Sequence, residues 1–311
     1  MVPTERRMAS KYETKPNPDD KNTSHALIAQ AVGHDKRVLD VGCAAGDFAE
    51  VLAGRGCEVT GIEIDPKAAR RAERYCERVI VGDVEHLDFE SDLDEGSFDV
   101  VVFGDVLEHL KDPLAVLKRL KPCLQPEGYA VASIPNVAHG SVRLALLQGR
   151  FRYRTLGLLD ETHLKFFTRE SVERLFEDAG FLITDLKHTS RGIFDTEVEV
   201  EQAAVPEEVL RMVREDPESF TYQFVPTAHR FGEAGRSAQT IRLLSDQLAQ
   251  RDRVIYDLRR KLREFDYLQG LLDARTEELA EKQQEASRLA REAADSNDRL
   301  ARFVQFGKDE A

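Results

Sequence analysis

The 311-residue chain has four cysteines, Cys43, Cys57, Cys76 and Cys123, and no two of them form a C-x-x-C pair. That scarcity excludes the usual thiolate metal sites and leaves reduced thiols as the expectation. Long apolar runs are missing too: nothing approaches the roughly 18 consecutive apolar residues that a membrane helix needs. Met1 to Asn22 is polar and dotted with proline, without the apolar core of a secretory signal. A cytoplasmic protein is expected. An excess of basic charge is also lacking, since the net charge is −13. Between Ser237 and Ala311, 14 Lys and Arg face 15 Asp and Glu, so −12 falls on residues 1–236. An acidic globular part has no broad basic surface with which to grip nucleic acid phosphates, and no nucleic-acid partner is expected. Proline, finally, is absent from Ser237 onward. That absence divides the chain into two regions with different grammar.

Up to about Arg230, short apolar runs alternate with helical patterns, the mark of βαβ units around a parallel sheet. Strands are expected at Arg37–Val41, Glu58–Ile62, Val79–Val81, Phe98–Phe103, Gly128–Ile134, Phe181–Lys187 and Phe220–Thr227. Helices are expected at Phe48–Gly54, Pro66–Glu77, Pro113–Leu120 and Arg169–Gly180, with Thr168 and Ser171 marking the start of the last. The fold class is α/β. Beyond a hinge at 231–240, a heptad register runs over 241–305 and makes 14 of 19 a and d positions apolar. Ile241, Leu248, Ile255 and Leu262 fall at a; Leu244, Leu258, Phe265, Leu272 and Leu279 fall at d. This predicts a coiled-coil helix about 95 Å long that pairs with a second copy or with a partner helix.

The most informative stretch is Arg37 to Phe48, where the first strand ends in Asp40-Val41 and a loop of small residues, Gly42-Cys43-Ala44-Ala45-Gly46, leads into a helix. Glycine lets backbone approach a ligand, and alanine is the next smallest choice. Asp40 decides what the ligand is. A pyrophosphate gains nothing from a carboxylate two residues before the first glycine, whereas a cationic, amino-acid-bearing cofactor does. The loop therefore fits S-adenosylmethionine. Cys43 is expected to be a small buried filler rather than a nucleophile, because no histidine lies beside it in the sequence.

Order and spacing extend the site. Glu63, followed by Ile64, ends the second strand where an acid can accept from both hydroxyls of a ribose. Asp83 and Val84 follow the third strand, where a carboxylate can accept from an adenine amino group and the next amide can donate to the ring. Gly104 and Asp105 close the fourth strand beside the first loop. The dinucleotide pattern G-x-G-x-x-G fails twice, because Ala44 and Asp47 stand where it needs glycine.

The string VLDVGCAAGDF…VTGIEID…GDVEHLDF…FDVVVFGDVLEHLKDP resembles the class I S-adenosylmethionine-dependent methyltransferases, near the methyltransferase-23 and ubiquinone-methyltransferase-like branch. The segment from Ser133 to Phe181 is similar to a bacterial subgroup that often accompanies glycosyltransferases and surface-polysaccharide genes. The resemblance covers roughly residues 20–230. It implies a Rossmann-like seven-stranded sheet in the order 3-2-1-4-5-7-6 with strand 7 antiparallel. It also implies a methyltransferase domain over 25–230 after an arm at 1–24, with the Asp40–Gly46 loop on the methionine part of the cofactor, Glu63 on the ribose, and Asp83 with Val84 on the adenine. Ala44 and Ala45 depart from the family's commonest loop, which has glycine and threonine there.

Methyl transfer asks mostly for alignment of nucleophile, methyl and sulfur. A sugar hydroxyl asks in addition for a base or a metal. His139, after the fifth strand, and His163, in Asp160-Glu161-Thr162-His163, are the candidate bases. His109 reads as structural, and His25 with Ser24 can close over the cofactor from the arm. Asp160 and Glu161 with a histidine are compatible with a metal, but the spacing is not diagnostic and none is expected. Arg143, Arg150, Arg152 and Arg154 interleave with Phe151 and Tyr153. They are either a clamp for an anionic acceptor, through Arg150, Arg152, Tyr153 and Arg154, or a lid loop with solvated charge. The expected activity is methylation of a small-molecule or glycan acceptor at a hydroxyl oxygen. The alternatives are a quinone-like or secondary-metabolite acceptor, and a cofactor-binding coiled-coil scaffold in glycan assembly.

Overall fold

The computed structural model describes residues 22–230 throughout, together with scattered positions between Arg251 and Arg288. The chain forms two compact units that divide between Arg242 and Leu243.

The first unit is one seven-stranded sheet in the order β3-β2-β1-β4-β5-β7-β6. Its strands are β1 (Arg37–Val41), β2 (Glu58–Glu63), β3 (Arg78–Val81), β4 (Phe98–Gly104), β5 (Leu124–Pro135), β6 (Phe181–Ser190) and β7 (Thr221–Arg230). All pair in parallel except β7, which runs antiparallel to both β5 and β6. Its helices are α1 (Ser24–Val32), α2 (Asp47–Ala53), α3 (Pro66–Ala72), α4 (Phe89–Asp92), α5 (Pro113–Leu120), α6 (Gly140–Leu147), α7 (Arg169–Asp178) and α8 (Glu207–Glu215).

The central strands are largely apolar because both faces of the sheet are covered. Alternation sends Leu39, Val41, Val101 and Phe103 into one core, with Phe176 of α7. It sends Val38, Val100 and Val102 into the other, with Ile28 of α1 and Leu52 of α2. The helix starts are written in capping chemistry. Asp65 caps α3 and Asp112 caps α5, each followed by proline, and Thr168 with Ser171 forms a capping box on α7. Against the expectation of a helix to Glu77, α3 stops at Ala72. The amides of Tyr75 and Cys76 both return to the Ala72 carbonyl, turning the chain toward β3.

A cap rises over the carboxyl side, of which the sequence suggested only a lid loop among the arginines at 143–154. It is built from α6, the stretch 150–164 and the segment 191–220 between β6 and β7. Its own small cores join Val142 to Leu158, Leu159 and Val198, and Leu144 to Ile193, Leu210 and Val213.

In the second unit the described positions are helical. Among them the heptad residues Ile255, Leu258, Leu262, Phe265, Leu272 and Leu279 are exposed in the single chain. Arg251, Gln269, Thr276 and Gln283, the polar heptad positions among them, are exposed too, whereas residues 1–21 of the arm, the 231–240 hinge and the other heptad positions lie outside the described residues. Among the described residues, no helix is long and apolar enough to cross a membrane.

Candidate active site

The carboxyl ends of β1, β2 and β4 converge, as open α/β sheets require of a ligand crevice. From β1 the chain enters the loop with Gly42 at φ 74°, Ala44 at φ 48° and Gly46 at φ 85°. The amides of Gly42 and Cys43 both donate to the Ile62 carbonyl, at 2.8 and 3.1 Å, which draws the loop against β2. Room is tight: a Cβ on Gly46 would lie 2.8 Å from the Ala72 Cα, and one on Gly42 2.7 Å from a Val106 methyl carbon. Ala44 and Asp105 (φ 53°) are non-glycine residues held in the left-handed region, and both sit at this edge. Such strain gathers where surrounding structure fixes the backbone for function.

Glu63 is the clasp of the crevice. One carboxylate oxygen accepts from the Ala44 amide at 2.9 Å, and the other from the Asp65 amide at 2.8 Å. Each oxygen keeps a further lone pair for a ribose hydroxyl. Asp40 is buried, and its Oδ2 has no hydrogen-bond partner. Burial, reinforced by the charge of Glu63, pushes its carboxyl up to about 7. A buried carboxylate of this kind is costly until a cation meets it, so the site fits a ligand with an ammonium group.

Cys43 points inward, packed over Gly61 beside Cys76. A hydrogen bond with Cys76, then burial, raises its thiol far above the ordinary range. It is a filler, as expected, and only its backbone faces the crevice. Asp83 is already engaged by the Glu85 amide and the His86 ring, both at 2.9 Å. Although partial burial pulls the other way, those bonds hold its carboxyl below the usual value. Val84 is buried, whereas Ile64 is 64% exposed beside Glu63, an apolar surface of the kind a purine ring covers. Asp105 is fixed by Ser133 and Gln223, each donating to its Oδ1 at 2.7 Å. His25 of α1 lies against Phe48 of α2, ring centroids 5.3 Å apart.

The two candidate bases part company. His139 is wholly buried, and both ring nitrogens are engaged, one with Ser141 at 2.8 Å and the other with the Arg191 carbonyl at 3.2 Å. It caps α6, and burial lowers its pKa. Its position after β5 suggested a base at the crevice mouth, but the cap segment folds over it and turns the ring into a helix cap.

His163 is placed differently. The amides of Leu164 and Lys165 donate to the Glu108 carbonyl at 2.8 and 2.9 Å, pinning this stretch to the 3-10 turn Leu107–His109 that follows β4. The His163 and His109 rings meet edge to face with centroids 4.9 Å apart. His109, read from sequence as structural, therefore belongs to the same cluster, as does Glu108. Neither Asp160 nor Glu161 joins that donor set; Asp160 accepts from the Thr162 amide and hydroxyl instead. From His163 a run of rings leads outward through Phe166 (6.3 Å) to Phe151 (5.8 Å) and Tyr153 (5.5 Å). The arginines beside it are not free. Arg150 pairs with Glu201, and Arg152 and Arg154 with Glu199, at 2.8, 3.1 and 2.6 Å. Arg143 pairs with Asp216. No sequence pattern revealed Glu199 and Glu201 as the partners of this cluster. The E-H pair directly after the fourth strand was the one available signal for Glu108 and His109.

The sheet order, the strained loop, the buried acid of β1 and the acid clasp of β2 define a class I S-adenosylmethionine-dependent methyltransferase. A methyltransferase-domain family model, that of methyltransferase family 23, matches residues 14–186. The chain belongs to this family. It is 32% identical over 170 residues to the ubiquinone biosynthesis O-methyltransferase of Psychrobacter arcticus, covering 53% of this chain and 66% of that protein. The corresponding protein of Acinetobacter baylyi is 28% identical over 155 residues, covering 49% and 65%. The chain thus spans under two thirds of the length of these curated relatives. Among solved structures, 1,6-didemethyltoxoflavin N1-methyltransferase of Burkholderia thailandensis, with S-adenosylhomocysteine bound, is 20% identical with a TM-score of 0.44, covering 67% of this chain and 77% of that one. A methyltransferase of Archaeoglobus fulgidus is also 20% identical, with a TM-score of 0.47, covering 68% and 97%.

Proposed function

We propose that this protein methylates a hydroxyl oxygen on a small aromatic acceptor. The ring run Tyr153–Phe151–Phe166–His163–His109 carries this reading: it forms a partly exposed aromatic wall ending in two imidazoles beside the carboxyl edge of β4. A flat acceptor stacks on such a wall with its polar edge toward the histidines. Asp40 and the backbone of Gly42, Cys43, Ala44 and Gly46 hold the methionine part of the cofactor. Glu63 takes the ribose, and Ile64, Asp83 and Val84 frame the adenine. Gly104 and Asp105 flank the sulfonium. When bound, S-adenosylmethionine supplies a methyl carbon that the acceptor oxygen takes, while the electron pair of the broken C–S bond stays on sulfur. The residues of the chain align the two partners and assist loss of the hydroxyl proton at Glu108, His109 and His163.

The ion pairs of Arg150, Arg152 and Arg154 count against the anionic, glycan-linked acceptor that the arginine cluster first suggested. The likeness to ubiquinone biosynthesis O-methyltransferases supports oxygen as the methylated atom and a quinone-like acceptor instead. Four buried thiols, none of them in a disulfide, suit a reducing, cytoplasmic setting. The exposed heptad stripe supports association through the C-terminal helix.

The test is release of S-adenosylhomocysteine by the full chain, with S-adenosylmethionine, against two sets of acceptors: phenols and catechols with apolar substituents, and sugars or nucleotide sugars. Turnover confined to the phenolic set, lost in Glu63→Ala and with acceptor KM raised in Phe166→Ala, is the expected result. Turnover confined to the sugars would overturn the reading.

A further inference from the structure

We propose that Glu108, His109 and His163 form a binding site for one divalent cation of the zinc type, with a coordination position left for the acceptor oxygen. Each of the three offers a ligand atom, and these atoms lie within 4.8 Å of one another. Two imidazoles and one carboxylate are a donor set that suits a borderline metal and leaves a fourth position open. Metal–ligand bonds of about 2 Å put ligand atoms up to roughly 4 Å apart, so the set closes by side-chain shifts of under about 1 Å.

Three further features point to a cation. Glu108 is 1% exposed, and neither of its carboxyl oxygens has a hydrogen-bond partner. An acid left so bare inside a protein is rare and costly, and a metal ion answers both its charge and its lone pairs.

The histidines, next, are oriented from behind. Nδ1 of His109 faces the Thr162 carbonyl and hydroxyl oxygens, both at 3.2 Å. The hydroxyl spends its own hydrogen on Asp160 at 2.7 Å, so both neighbours accept and Nδ1 is the donor that aims the ring. The His163 ring is held edge to face against His109, centroids 4.9 Å apart. Backbone or carboxylate support behind a ligating imidazole is how metal sites fix tautomer and aim.

Last, the two segments that supply the ligands, 54 residues apart between His109 and His163, are locked together by the paired amides of Leu164 and Lys165 on the Glu108 carbonyl. The donor set is preformed. The role of the open position rests on the acceptor reading given above; cation binding itself does not.

The decisive experiment needs no acceptor. The full chain is stripped with a chelator, and Zn2+ binding is measured by equilibrium dialysis with elemental analysis. Co2+ is used in parallel for its ligand-field absorption. One Zn2+ per chain is expected, with a Co2+ spectrum of nitrogen and oxygen ligation free of thiolate charge-transfer bands. Affinity should fall about 100-fold or more in Glu108→Gln and in His163→Gln, and stay unchanged in His188→Gln, on exposed β6. Circular dichroism and S-adenosylmethionine binding show whether each variant is folded. No stoichiometric Zn2+ on the wild-type chain, or the same binding in both folded variants, overturns the site. Retained cofactor binding in either case leaves the methyltransferase reading standing by itself.

Discussion

The Glu63 carboxylate accepts the amide of Ala44 across the crevice at 2.9 Å, joining the end of β2 to the strained turn of the first loop. Ala44 holds φ 48° without the freedom of glycine, so something must keep it there. Glu63→Ala removes that restraint and the ribose acceptor together. A charged hydrogen bond is worth about 1.5–3 kcal/mol, so S-adenosylmethionine should bind roughly 10- to 100-fold more weakly by calorimetry. Glu63→Gln keeps one acceptor and should fall between.

Gly46 faces a different constraint. At φ 85°, with backbone 2.8 Å from its would-be Cβ, alanine must both adopt an unfavourable conformation and displace α3. Gly46→Ala should destabilise the protein by about 2 kcal/mol or more and abolish cofactor binding. Chemical denaturation with and without S-adenosylmethionine separates the two effects.

Asp40 sets a pH dependence whose sign is fixed. Its folded-state value, about 7, lies above the ordinary 3.8, so the native chain holds the extra proton and loses stability as pH rises through that window. A bound ammonium pairs with the ionised form and reverses the trend. The rise in Tm given by saturating S-adenosylmethionine should therefore grow between about pH 5 and about pH 8. Asp40→Asn should bind weakly with a flat profile. A profile in Asp40→Asn as steep as that of the wild type would exclude Asp40 as the group responsible.

His139 tests how far position in the chain can be trusted. Because it caps α6 and satisfies the Arg191 carbonyl, His139→Ala should cost about 2–4 kcal/mol of stability. Methyl transfer per folded molecule, and its pH profile, should be unchanged. A variant that folds but has lost turnover would return His139 to the chemistry.

The strands were legible because apolar runs, terminal acids and small loops repeat at the spacing of βαβ units, while their order followed only from the resemblance to class I methyltransferases. Asp40, Gly42, Glu63 and Asp105 each stand where a strand ends, and strand ends can be read locally. The cap could not be read so. Its α8 is a short amphipathic stretch in acidic sequence, and its cores join residues such as Val142 and Val198 that only tertiary folding brings together. The same holds for the arginines. Arg152 and Arg154 looked free until the 191–220 segment brought Glu199 against them. His163 and His109 meet because two amides converge on one carbonyl, a contact that leaves no periodic trace.

The helical positions of the second unit carry the last prediction. Leu258 and Leu262 are 60% and 61% exposed in the single chain, at d and a of the register. A stripe of this kind, continued by Phe265, Leu272 and Leu279, exposes more contiguous apolar surface than a solitary helix keeps in water. Pairing with the same stripe on a second chain would bury it, and polar a positions such as Gln269 and Thr276 would restrict the register. Sedimentation equilibrium should give a dimer or larger assembly for the full chain. Leu258→Lys combined with Leu262→Lys should return it to a monomer that still binds S-adenosylmethionine, because the crevice is built wholly from residues of the first unit. If the wild-type chain is monomeric at its highest soluble concentration, self-association is excluded and the stripe must meet a helix from a different protein.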